Sequence, residues 1–152
     1  MIHKKIELWN KDEYAGVDKL FTPTLETYII KGDKPKGAIL IMPGGGYAQT
    51  SGREAKPVAL WVNSIGYNAF VLHYSVAPNR HPQPLLDATR AMCVIRENSD
   101  AWRVNPEKIA VCGFSAGGHL AASLGVYYNA SYLQNVVGMK EGKNRPNALI
   151  LC

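Results

Sequence analysis

In KIAVCGFSAGGHLAASLGV, residues 108–126, an apolar run stops at Gly113 and an Ala/Leu-rich run begins at Ala116. Ser115 stands between them in the pattern Gly113-Phe114-Ser115-Ala116-Gly117. Where a strand turns directly into a helix, the residues two before and two after the apex are pressed together, so a Cβ at either would clash. Glycines at 113 and 117 remove both clashes. The apex serine is left strained, with its hydroxyl directed into a crevice. The helix that starts there aims free N–H groups and partial positive charge at the same point. An exposed hydroxyl beside anion-stabilising donors is what acyl transfer through a covalent intermediate requires.

A second glycine turn, MPGGGYAQTSGRE, follows the apolar run 38–42. Three consecutive glycines let the backbone approach a substrate closely and turn N–H groups inward. Gly45 or Gly46 is expected to supply one oxyanion donor and Ala116 the other. Each such donor is typically worth about 3 kcal/mol of transition-state stabilisation. Residues 43–47 are therefore read as an oxyanion loop and 113–117 as a nucleophile elbow. A phosphate loop would use glycines similarly, but neither Gly-x-Gly-x-x-Gly nor Gly-x-x-x-x-Gly-Lys-Ser/Thr occurs.

The elements that would position these turns alternate in type. Strands are expected at 4–8, 24–31, 38–42, 67–74, 108–112 and 148–152, and helices at 54–64, 85–98 and 116–128. Pro57 fits the first turn of its helix. Residues 38–42 are continuously apolar, as a strand buried on both faces is. Buried strands joined by helical crossovers give a mostly parallel sheet covered on both faces, a three-layer α/β/α sandwich. Ligands bind such sheets beyond the carboxyl ends of the strands, where both glycine turns fall.

The chain has 152 residues, enough for one domain with a real core. Its net charge of +5 is modest and its basic residues are scattered, which argues against a nucleic-acid surface. It contains no apolar run long enough to span a membrane and no signal peptide in MIHKKIELWNKDEY. Cys93, Cys112 and Cys152 fall inside expected helix or strand segments. Their odd number and burial favour a reducing, cytoplasmic setting, and their spacing suggests no metal site. No cofactor is expected.

The stretches ILIMPGGGY, GYNAFVLHYSVAP, HPQPLLDATRAMCVIREN, WRVNPEKIAVCGFSAGGHLAASL and RPNALILC resemble the α/β-hydrolase fold. More narrowly, they resemble the acetyl-xylan-esterase-like (BD-FAE-like) carbohydrate esterases, relatives of the hormone-sensitive-lipase-like enzymes. The lipase-like relatives usually carry histidine before the glycines; Pro43 here matches the xylan-esterase-like pattern. The resemblance implies Ser115 as nucleophile, Gly45, Gly46 and Ala116 around the oxyanion, and a small acyl ester or acetylated sugar as substrate. Peptidases and lipases share the elbow and remain alternatives, as does a non-catalytic binding module.

In this fold the acid and the histidine follow the serine, in that order. After Ser115 the only acid is Glu141 and the only histidine is His119, in reversed order. His119 is expected to be a helix histidine bonded to neighbouring backbone or side chains, and Glu141 to be solvated. His81 lies near the crevice, His73 in a strand and His3 near a terminus. Asp87 is assigned to a helix first turn, complementing the dipole. Residues 1–152 are accordingly expected to form the N-terminal part of one hydrolase domain, with the acid and histidine beyond residue 152 or on a companion chain.

Overall fold

A computed structural model describes residues 1–152, the whole chain. In chain order the elements are β1 (Ile2–Glu7), β2 (Thr24–Ile29), β3 (Lys36–Met42), α1 (Lys56–Ser64), β4 (Asn68–His73), α2 (Gln83–Glu97), β5 (Val104–Gly113), α3 (Ala116–Tyr127) and β6 (Ala148–Leu151). The six strands form one sheet in the order β1-β2-β4-β3-β5-β6. β4, β3, β5 and β6 are mutually parallel, while β2 runs antiparallel to both of its neighbours.

Side-chain alternation divides the core into two layers. Leu40, Met42, Phe70 and Leu72 point to one face, where they meet Leu85 and Met92 of α2 and Leu120 and Leu124 of α3. Ile39, Ile41, Ala69 and Val71 point to the other, against Ala59 and Val62 of α1. This is the period of two that a pleated strand imposes, with both faces buried. Burying each large aliphatic side chain stabilises the fold by about 1.5–3 kcal/mol. The result is the expected three-layer sandwich, with a mixed sheet.

The handedness of the crossovers determines where a ligand can enter. From β3 the chain passes through α1 to β4 on one side, then through α2 to β5 on the other. Right-handed crossovers in opposite directions put their helices on opposite faces. The direction reverses at β3, so the crevice opens at the carboxyl ends of β3 and β5. Both glycine turns leave from there.

Several boundaries differ from expectation. α2 starts at Gln83, with Pro84 tolerated in its first turn. Asp87 therefore sits deeper in the helix, and it is fully buried rather than placed for the dipole. Its carboxylate accepts hydrogen bonds from Trp9 Nε1 (2.7 Å), Ser75 N (2.7 Å) and Gln83 Nε2 (2.9 Å). Burial raises its pKa, and these donors pull the other way. β5 begins early, at Val104, because Val104 pairs with Lys36 before a register shift. The expectation of three buried cysteines fails at Cys152. It lies beyond β6 and is exposed, whereas Cys93 and Cys112 are buried. No helix is long and apolar enough to cross a membrane.

Two measurements check this description. Burial pushes the Cys93 thiol up to about 11 and the Cys112 thiol up to about 12, so neither forms thiolate near neutrality. Iodoacetamide at about pH 8 should modify Cys152 alone in the native chain, and all three after unfolding, as read by peptide mass mapping. Asp87→Ala would leave three donors without their acceptor, and it should lower the unfolding free energy in urea by about 3 kcal/mol or more.

Candidate active site

Ser115 is exposed at the first turn of α3, with φ 50° and ψ −116°. A non-glycine residue in such a region costs on the order of 1–3 kcal/mol and persists only where its surroundings over-determine it. Here they do. Phe114 N donates to Met42 O of β3 (3.1 Å), and Ser115 N donates to Cys152 O beyond β6 (2.8 Å). Cys152 N returns a bond to Gly113 O (2.9 Å), and Gly117 N closes the turn onto Phe114 O (2.8 Å). The turn is thus held from both neighbouring strands.

The glycines are required by backbone contacts. A Cβ on Gly113 would overlap Gly117 O, as the spacing implied. A Cβ on Gly117 would overlap Met42 O, so Gly117 is pressed against the end of β3 as well as against its partner glycine. Gly44 is equally tight: an added Cβ would lie 2.7 Å from Phe114 O and 3.2 Å from Ser115 Cβ. That contact brings the glycine loop against the elbow.

The loop itself is anchored through carbonyls, which leaves amides free. Gly44 O accepts from Ser51 N (2.8 Å), and Gly45 O accepts from Ala48 N (3.0 Å) and Gln49 N (3.3 Å). Gly44 N is taken by Glu54 Oε2 (2.7 Å). The amides of Gly45 and Gly46 donate to no group in the chain. Both residues have positive φ, 136° and 63°, which glycine adopts without penalty. Ala116, as the first helical residue, has an amide that helix geometry leaves unpaired. The elbow thus carries an exposed serine, and the loop packed against it through Gly44 carries two unbonded amides.

Several parts of the site were not evident in the sequence. Buried Tyr74 donates its hydroxyl to Pro43 O (2.6 Å), and burial raises its pKa strongly, so it remains a donor. Ala77 N donates to Tyr47 O (2.7 Å), tying the segment after β4 to the glycine loop. Tyr47 has φ 58°, and its hydroxyl shares a hydrogen bond with His119 Nδ1 (2.9 Å). The His119 ring thus bonds a neighbouring side chain on the glycine loop, while its backbone bonds Ser115 and Ser123 on its own helix. Tyr47, His119, Asn79, Arg80 and His81 line one cavity of about 300 Å³, which brings His81 to the same cavity as His119, four residues past Ser115. The only signals for these partners were a tyrosine after the glycine run and another at a strand end.

No histidine ring is bonded to Ser115; His119 donates only its backbone N–H to Ser115 O (2.9 Å). His73 Nδ1 bonds Thr50 Oγ1 (3.1 Å) and its Nε2 lies 3.5 Å from Glu26, while burial lowers its pKa. His81 meets Tyr132 edge-on, and His3 stacks on Tyr28. Glu141 is exposed.

A sheet that reverses direction at β3, with a strained serine between strand and helix at the switch point, defines the α/β-hydrolase fold. The chain belongs to the BD-FAE family, whose model matches residues 25–150. It is similar to endo-1,4-beta-xylanase B of Butyrivibrio fibrisolvens, with 32% identity over 95% of this chain and 23% of that protein. It also resembles an acetylxylan esterase of Xylanibacter ruminicola, with 34% identity over 59% of this chain and 19% of that protein. Among solved structures, an acetyl ester-xyloside bifunctional hydrolase from Caldicellulosiruptor lactoaceticus aligns with TM-score 0.85 and 40% identity. That alignment covers 98% of this chain and 56% of the other. The α/β hydrolase MGS-M1 from a deep-sea metagenome aligns with TM-score 0.78 and 40% identity, over 99% and 56%. The chain spans about a fifth of the length of these curated relatives and just over half of these solved ones.

The glycine contacts separate steric need from conformational need. Gly113→Ala and Gly117→Ala should each destabilise the chain by at least about 2 kcal/mol, because rigid backbone must move. Gly46→Ala meets nothing within 4 Å and should cost only about 1–2 kcal/mol for its left-handed backbone. Urea denaturation of the three variants checks that order.

Proposed function

We propose that the protein is a serine hydrolase of carboxylic esters, acting on small acyl esters such as acetylated sugars or xylo-oligosaccharides. The observation that carries this reading is the exposed Ser115 at a strained elbow, with Gly44 of the glycine loop packed against it and the next two amides of that loop unbonded. The relatives named for acetylxylan and acetyl ester-xyloside hydrolysis support the ester and carbohydrate parts of the reading.

In the proposed reaction, Ser115 Oγ attacks the acyl carbonyl carbon. The carbonyl oxygen becomes an oxyanion and receives N–H donors from Ala116 and from Gly45 or Gly46. An imidazole takes the serine proton and delivers it to the departing sugar hydroxyl as the ester bond breaks. Water then attacks the acyl-enzyme and gives a proton to the imidazole, which returns it to Ser115 Oγ as the acid leaves. The four histidines here are engaged elsewhere or stand apart from Ser115, so the imidazole and its orienting carboxylate are assigned to chain beyond residue 152 or to a companion chain.

A fluorophosphonate probe tests the nucleophile directly. In the protein containing this chain it should label Ser115, and Ser115→Ala should abolish both label and p-nitrophenyl acetate hydrolysis. Labelling unchanged in Ser115→Ala would overturn the assignment. Residues 1–152 alone should hydrolyse p-nitrophenyl acetate about 10³-fold or more slowly, because base and acid together contribute that much. Faster cleavage of peptide amides than of acetyl esters would favour a peptidase.

A further inference from the structure

The glycine loop meets the elbow at Gly44, ahead of the unbonded amides of Gly45 and Gly46. Beyond that contact the loop turns through two glycines with φ of 136° and 63°, a backbone that no side chain of their own stiffens. Most of its anchors hold the loop to itself or to the segment after β4: Ser51 N on Gly44 O, Ala48 N and Gln49 N on Gly45 O, and Ala77 N on Tyr47 O. A single hydrogen bond ties residues 43–47 to α3, between the Tyr47 hydroxyl and His119 Nδ1 (2.9 Å).

Both partners are placed for that bond. Side chains on a helix lean toward its N-terminus and cover the preceding turn. His119, whose amide donates to Ser115 O (2.9 Å), therefore carries its ring back over the turn that starts at Ser115. Tyr47 follows Gly46 directly and is held at φ 58°. A bulky L-residue is costly there, and glycine or asparagine would cost less. A large side chain kept at a strained position beside the proposed donors points to a use for that side chain. Its ring packs edge-on against Tyr74 (centroids 5.8 Å) and His119 (5.9 Å), and its hydroxyl is committed to His119 Nδ1.

We propose that Tyr47 and His119 are positioning residues for ester hydrolysis: their hydrogen bond clasps the glycine loop to the elbow helix and so fixes the reach of the Gly45 and Gly46 amides from Ser115. The contacts form a closed ring. It runs from Ser115 to His119 along α3, from His119 to Tyr47 through the bond, from Tyr47 to Gly45 along the chain, and from Gly44 back onto the elbow. Oxyanion donors act only when they stand at hydrogen-bond distance from the charge that develops, so removing play from the loop favours the transition state more than substrate binding. Neither side chain is assigned a proton transfer or a substrate contact. The inference rests on the esterase reading of Ser115.

Steady-state hydrolysis of p-nitrophenyl acetate by the protein containing this chain tests the clasp. Tyr47→Phe, which loses only the hydroxyl, should lower kcat about tenfold and leave KM within about twofold, since a misaimed donor forfeits part of the roughly 10²–10³-fold that a donor supplies. His119→Leu should do the same, and the double variant should fall no further than either single one, because all three lack the same bond. His119→Asn has the shape of leucine but returns a polar δ atom, and it should recover most of the loss. Urea unfolding checks that each assayed variant is folded, and Tyr47→Phe, the mildest change, decides the case where a His119 variant is not. Unchanged kcat in Tyr47→Phe, losses that add in the double variant, a change in KM alone, or no recovery in a folded His119→Asn would overturn the clasp, while an active wild type labelled by fluorophosphonate at Ser115 keeps the esterase reading. A wild type that neither takes that label nor cleaves the ester removes the esterase reading and the positioning role with it.

Discussion

The positive φ at Ser115 is the constraint on which the rest of the site depends. An L-residue held there costs on the order of 1–3 kcal/mol, and the residue cannot relax without breaking the turn between β5 and α3. The surrounding backbone offsets that cost through bonds from both sides: Met42 O of β3 to Phe114, and Cys152 O beyond β6 to Ser115. The strain is therefore a property of three adjacent strand ends. It also explains the pattern of glycines. Gly113, Gly117 and Gly44 each lie where a Cβ would collide with main chain, since β3, the elbow and the glycine loop share one crowded corner.

The same corner couples the site to distant parts of the chain. The glycine loop is fixed by Tyr74 at Pro43, by Glu54 at Gly44 and by Ala77 at Tyr47. The segment carrying Ala77 is in turn held at Ser75 by buried Asp87, and Ser75 Oγ also shares a hydrogen bond with the Tyr14 hydroxyl at 2.8 Å. A chain of hydrogen bonds thus leads from the N-terminal segment through a buried carboxylate to the loop with the free amides. Satisfied buried networks of this type rigidify their surroundings, and donors aimed in advance lose nothing to reorganisation when charge develops.

Much of this was legible in the sequence, for identifiable reasons. Alternation and crossover order determine the layers, and both are local patterns: 38–42 and 67–74 read correctly as inner strands because both faces are apolar. The glycines at 113 and 117 were legible because their need arises within five residues. What was hidden depends on pairs far apart in the chain. Asp87 looked like a dipole partner because its helix start was set two residues late, and its donors lie 78 and 12 residues away in Trp9 and Ser75. His119 was expected to bond neighbouring groups and does, but Tyr47, the partner of its ring, is 72 residues distant and could not be named. Cys152 reads as apolar in sequence, and only its place beyond the edge strand exposes it.

The charges around the crevice constrain how proton transfer can be completed. Arg80 is the only charged side chain (histidines aside) lining the cavity that Tyr47 and His119 share. The nearby carboxylate, Glu54, is occupied by Gly44 N, where it fixes the loop. An imidazole that accepted the serine proton would become a cation in a crevice that already holds one, with no free carboxylate to face it. Ser115 and Arg80 are both exposed, so water weakens that repulsion but supplies no fixed counter-charge. A histidine supplied alone would therefore be a poor base here, because its protonated form would lack a counter-charge. The carboxylate that faces such an imidazolium therefore has to be one other than Glu54, which the glycine loop already holds.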